Sequence, residues 1–156
     1  MKENVMKLAI EQARKTMNEN IGGPFGAAIV NADGEVIAVN SNRVLCDHDP
    51  TAHAEITAIR EAAKKLGTHD LSGCVMYATG YPCPMCLGAM IWANIKKCYY
   101  GVTPRDAEEI GFRDDFIYEF IKADCADAGV LEFDELEREA CLELFQEYHK
   151  KQKELY

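Results

Sequence analysis

Long apolar runs are what this 156-residue sequence most plainly lacks: no window approaches the roughly 18 consecutive apolar residues of a membrane span. Its start, Met1-Lys2-Glu3-Asn4, passes into an amphipathic stretch and not an apolar core, so no secretory leader is expected. Positive charge is also in short supply; 17 Lys+Arg stand against 26 Asp+Glu, a net −9. A surface of that sign suits a phosphate backbone poorly, because such binding draws most of its affinity from Lys and Arg. There are only five prolines, and no linker, repeat or low-complexity run interrupts the chain. The seven cysteines are odd in number and scattered, which argues against a secreted disulfide framework and for the reducing cytoplasm.

What is present is ordinary for a folded domain: 48% hydrophobic and 28% charged residues, over a length that suits one domain, 1–156, with a sizeable core. Val5, Leu8, Ala9, Ala13 and Met17 recur at helical spacing, predicting a helix over 2–19 that ends at Ile21-Gly22-Gly23-Pro24. Residues 26–31 and 35–40 are β-prone and flank Ala32-Asp33-Gly34, a hairpin signal. A helix is expected over 53–66 with Gly67 as its stop, then a buried strand over 74–79, a helix over 82–93 and a strand over 97–100. Short helices over 103–110 and 115–122, a last strand over 130–133, and a long helix opened by Asp134 with Glu137 as capping-box partner complete the reading. This alternation predicts an α/β fold, a three-layer α-β-α sandwich around a mixed, mostly parallel five-stranded sheet.

Two short pieces carry the chemistry: Thr51-Ala52-His53-Ala54-Glu55 and Tyr81-Pro82-Cys83-Pro84-Met85-Cys86. His53, Cys83 and Cys86 form a borderline-soft donor set that suits Zn²⁺. With no fourth protein ligand in view, the remaining position falls to water or hydroxide, as in a catalytic site. Both pieces open helices, where unpaired N–H groups and the helix dipole favour the thiolates a metal needs. Glu55, two residues from His53, is placed to take a proton from the water and pass it on. The pattern H-x-E…P-C-x-x-C is the signature of zinc-dependent nucleobase deaminases. A redox pair or a purely structural zinc are the other uses of a C-x-x-C, and neither accounts for the accompanying carboxylate. The other five cysteines are read as small apolar fillers and Trp92 as core.

With those motifs in view, the sequence resembles the cytidine deaminase superfamily along nearly its whole length. The resemblance is strongest to the branch that contains the bacterial guanine deaminases. It rests on Ile21-Gly22-Gly23-Pro24-Phe25-Gly26-Ala27, on Asp49 through Glu55, on Pro82 through Ala89, on Gly111-Phe112 with Asp114 and Phe116-Ile117-Tyr118, and on Tyr156. It implies a cytidine-deaminase-like fold holding one zinc per subunit and hydrolysing a free purine base, guanine and water giving xanthine and ammonia. The alternatives within it are a tRNA adenosine deaminase, or a deaminase of a related free base or triazine such as isoguanine, cytosine or ammeline. It further implies a homodimer in which the segment 134–156 is exchanged between subunits. By the same resemblance Asn42 hydrogen-bonds the base, Phe25 packs near it, the Ala54 N–H lies against the ring and Tyr156 closes the pocket. Asp114, or Asp115 beside it, contacts the exocyclic amine and shuttles a second proton. One departure stands out: the family usually carries Glu immediately before Pro-Cys, and here that position is Tyr81.

Overall fold

The computed structural model describes residues 2–156, which form two compact units, one up to Asp114 and one over Asp115–Tyr156. The first unit holds α1 (Lys2–Asn18), β1 (Gly26–Val30), β2 (Val36–Ser41), α2 (Val44–Asp47), α3 (Ala54–Leu66), β3 (Val75–Gly80), α4 (Pro84–Trp92), β4 (Lys97–Val102) and α5 (Pro104–Glu109). The second holds α6 (Asp115–Lys122) and α7 (Arg138–Lys150).

β1 is the centre of the design. All five of its residues, Gly-Ala-Ala-Ile-Val, are buried, as expected of a strand covered on both faces. Alternation along the strand then decides which layer each side chain meets. Ala27 and Ile29 face a core shared with Ala54, Ala58 and Ala62 of α3, with Met76, and with Met90 of α4. Ala28 and Val30 face the opposite side, where Val5 and Ala9 of α1 and Tyr77 close a second cluster. The result is the expected three layers, α1 on one face of the sheet and α3 with α4 on the other. Gly26 permits the close approach of α1, since a Cβ there would lie 2.0 Å from the Ala9 carbonyl oxygen.

The sheet differs from expectation in two respects. Among the described residues its order is β2-β1-β3-β4, four strands and not five. β1 pairs antiparallel with both β2 and β3, and only β3–β4 is parallel, so the sheet is mixed without being mostly parallel. The expected fifth strand at 130–133 does not form. The N–H groups of Val130 and Leu131 turn back onto the Asp127 carbonyl, at 3.0 and 3.2 Å, and are spent on a turn.

Other boundaries move for local reasons. The hairpin turn is organised by Asn31, whose Oδ1 accepts from the N–H groups of Asp33 and Glu35, with Gly34 at φ +86°. α3 ends where Gly67 adopts the left-handed conformation. α7 begins at Arg138, and Glu137 precedes it at φ +54° without a side-chain cap, so the capping box anticipated from Asp134 is not made. Trp92, expected in the core, is 76% exposed. Cys46, Cys125 and Cys141 are exposed as well, leaving only Cys74 and Cys98 as packed thiols outside the motif. Among the described residues, no helix is long and apolar enough to cross a membrane.

Candidate active site

α3 and α4 both start at a metal-ligating residue. His53 is the N-cap of α3 and Cys83 the N-cap of α4, each in extended conformation, and Cys86 lies in the first turn of α4. Pro84 at the first position of α4 has no N–H to leave unpaired, and its fixed φ pre-sets the turn that spaces the two sulfurs. The packing of α3 against α4 brings the two N-termini together. His53 Nδ1 stands 3.5 Å from Cys83 Sγ and 3.7 Å from Cys86 Sγ, and all three donor atoms lie within 4.8 Å of one another.

These spacings fit zinc. Tetrahedral geometry with Zn–S of about 2.3 Å and Zn–N of about 2.05 Å separates sulfur from nitrogen by about 3.6 Å. The electrostatics of the trio point the same way. The Cys83 thiol is pulled down to about 4, first because the Cys86 thiol donates to its thiolate, with His53 assisting. The Cys86 thiol is pushed up, first by that same contact with Cys83 and then by burial and Glu55. One proton leaves the pair readily and the second resists leaving, which a divalent cation at the centre would reverse. The His53 imidazole is held above its ordinary value, chiefly by Cys83.

Beside the trio lies a cavity of about 460 Å³ whose lining includes His53, Glu55 and Cys83. Glu55, in the first turn of α3, is only 8% exposed, and desolvation pushes its carboxyl above the usual range. Asn42 is 7% exposed at the end of β2. Its Oδ1 accepts from the N–H groups of Gly23, at 3.3 Å, and Val44, at 3.1 Å. Two donors on one atom assign it as the oxygen, which leaves Nδ2 as the donor end of an amide whose residue lines the cavity. Phe25 and Phe112 line the same space with their rings edge to face, centroids 5.0 Å apart at 87°.

Of the residues anticipated from sequence, His53, Cys83, Glu55, Asn42, Phe25 and Asp114 line this cavity. Cys86 is buried directly behind it as part of the donor trio. Ala54 opens α3 and is wholly buried. Asp115 begins α6, and Tyr156 lies at the far end of the second unit, where it is exposed. Leu45 and Arg113 also line the cavity, with no motif pointing to them, and so does Tyr81, which the departure from the family pattern marks beside the zinc loop. A separate groove of about 400 Å³, lined by Met6, Ile10 and Met17 of α1, also touches Phe25 and, among the described residues, carries no metal-ligating cluster.

Comparison with known proteins agrees with this geometry. Residues 1–102 match the cytidine and deoxycytidylate deaminase zinc-binding region. The chain is 50% identical over 119 residues to a guanine deaminase of Bacillus subtilis, covering 76% of each. A crystal structure of guanine deaminase from Bacillus subtilis superposes with a TM-score of 0.90 at 43% identity, covering 99% of this chain and 98% of that one. A tRNA-specific adenosine deaminase of Agrobacterium fabrum is 45% identical over 96 residues, covering 62% of each chain. By the match of residues 1–102, which contain the donor trio, to its zinc-binding region, the chain belongs to the cytidine and deoxycytidylate deaminase family.

Proposed function

We propose that this protein is a zinc aminohydrolase that converts guanine and water to xanthine and ammonia. The observation that carries the reading is the buried carboxylate of Glu55 beside a His/Cys/Cys trio, in a cavity that also offers the Asn42 amide donor. When bound by His53, Cys83 and Cys86, zinc supplies the Lewis acidity that makes water a competent nucleophile near neutral pH. Glu55 takes a proton from that water and delivers it to the ring nitrogen next to the amino-bearing carbon. A carbon–oxygen bond forms at that carbon, the new hydroxyl gives up its remaining proton to the exocyclic amine as the carbonyl forms, and the carbon–nitrogen bond breaks to release ammonia. Glu55 and Asp114 carry that second transfer, with Asp115 the alternative to Asp114. Asn42 orients the base by donating from Nδ2 to an acceptor on the ring, Phe25 packs against it, and the Ala54 N–H lies at its edge.

The likeness to the Bacillus guanine deaminase structure covers 99% of the chain and so extends well past residue 102, where the family match ends, which supports a free base over a tRNA substrate. The net charge of −9 supports the same choice, since a polyanion would be repelled. In this reading the enzyme is a cytoplasmic homodimer serving purine breakdown, as one domain with segment 134–156 exchanged so that Tyr156 of the partner subunit closes each pocket. The exposed Leu144 and Phe145 of α7 support an apolar partner for that segment.

Ammonia release from guanine, isoguanine, cytosine, ammeline and adenosine by the zinc-loaded protein tests the proposal. Guanine should be turned over fastest. No release from guanine, or a tight and salt-sensitive gel shift with an anticodon stem-loop, would overturn it.

A further inference from the structure

Two aromatic residues of the cavity, Phe112 and Tyr81, have no part in the mechanism above, and Phe112 already packs against Phe25. Tyr81 follows the last residue of β3 and stands two positions before Cys83, in the turn that delivers the metal ligands. Its backbone is tightly held: the Tyr81 N–H donates to the Val102 carbonyl of β4 at 2.9 Å, and Pro82 after it is fully buried. Its ring is held too. Tyr100 on β4 meets it edge to face, with centroids 5.0 Å apart at 81°. Yet the Tyr81 side chain is 40% exposed and lines the cavity. A braced aromatic ring that lines a cavity offers its flat face to a planar ligand.

On the other side of Gly80, Phe25 packs close, within 3.3 Å of where a Cβ of Gly80 would sit. Phe25 and Tyr81 both line the cavity, the first braced by Phe112 and the second by Tyr100. The charged groups of the cavity, Glu55, Arg113 and Asp114, are distinct from these rings.

We propose that Tyr81 is a specificity-determining residue, whose ring forms an aromatic wall that selects fused two-ring bases over single-ring bases and triazines. The inference rests on the base-deaminase reading above. Ring-on-ring contact grows with the overlapping area, so a purine gains more from the wall than a pyrimidine does. Tyr100 contributes by holding the wall in place, and the phenol hydroxyl is not needed for it.

The test compares wild type, Tyr81→Phe and Tyr81→Ala, each confirmed to hold one zinc per chain. The readouts are kcat and KM for guanine and for cytosine, and calorimetric binding of xanthine, the unreactive product. Tyr81→Ala should raise KM for guanine and weaken xanthine roughly tenfold, by the strength of base–aromatic stacking, with a much smaller effect on kcat. KM for cytosine should shift far less, so that selectivity for the purine falls. Tyr81→Phe should restore both guanine KM and xanthine binding. Equal losses for guanine and cytosine, a fall in kcat alone, or failure of Phe to rescue would each overturn the role. A wild type that neither deaminates guanine nor binds xanthine would overturn the base-deaminase reading itself, and this role with it.

Discussion

His53 Nδ1 and Cys83 Sγ lie 3.5 Å apart although 30 positions separate them in the chain. The contact exists because each residue caps a helix and the two helices pack side by side with their N-termini together. Two helix dipoles therefore converge on one point, where thiolate and metal are both stabilised.

Replacing His53 by Ala should leave the two sulfurs without their nitrogen partner. Zinc content, measured by elemental analysis after dialysis, should fall from one per chain to well below stoichiometric, and ammonia release should fall in proportion. Retention of a full equivalent of zinc would place the metal elsewhere.

Glu55→Gln keeps the shape of the side chain and removes its ability to accept a proton. The variant should bind zinc as wild type does while kcat drops by about 10²–10⁴-fold, the usual weight of a general acid–base group. Substantial residual turnover would assign the proton transfer to another group.

Two glycines should respond in opposite directions to the same added methyl. At Gly22 a Cβ would lie 2.2 Å from the Asn42 carbonyl oxygen and 2.4 Å from Asn42 Oδ1. Gly22→Ala should therefore cost about 1–3 kcal/mol of stability, as forced packing does, and raise KM by displacing the amide. At Gly88 in α4 nothing lies within 4 Å. Gly88→Ala should stabilise by about 0.5–1 kcal/mol through helix propensity. Thermal melts of both variants check the pair.

Cys98 should be chemically silent. Burial first, and then the charge of Glu55, pushes its thiol up to about 11 from an ordinary 9.0. The folded protein thus holds the proton more tightly than the unfolded chain. The resulting contribution to stability is complete below pH 9 and is lost as pH rises toward 11. In native protein at pH 8, iodoacetamide and mass spectrometry should find Cys46, Cys125 and Cys141 alkylated and Cys98 untouched.

Four helices of the first unit, α1, α3, α4 and α5, were readable from sequence because their signals are local, whereas the one-turn α2 was not anticipated. Apolar residues at helical spacing, Gly67 as a stop and prolines at the start of α4 act within a turn or two of where they stand. Signals that depend on distant partners read less well. The run at 130–133 is β-prone, but a strand needs a neighbour, and its N–H groups found Asp127 instead. Leu8 and Met17 fit the α1 stripe yet stay partly exposed, while Thr16 is buried with its hydroxyl bonded to the carbonyl of Gln12. Trp92 is apolar enough for any core, and the packing of α4 leaves it outside.

The sequence by itself determined the chemistry of the site. Donor atoms, their spacing within each motif and the carboxylate beside them are properties of residue type and short-range geometry. Tertiary structure decided the rest: which faces of β1 meet which helix, how the Asn42 amide is turned, and that Tyr81 looks into the cavity. Those outcomes depend on contacts between residues far apart in the chain, and no local pattern encodes them. A zinc site was legible because its ligands sit in two short motifs; Tyr81 was marked by its place before Pro-Cys, but its packing against Tyr100 on β4 came from the tertiary structure.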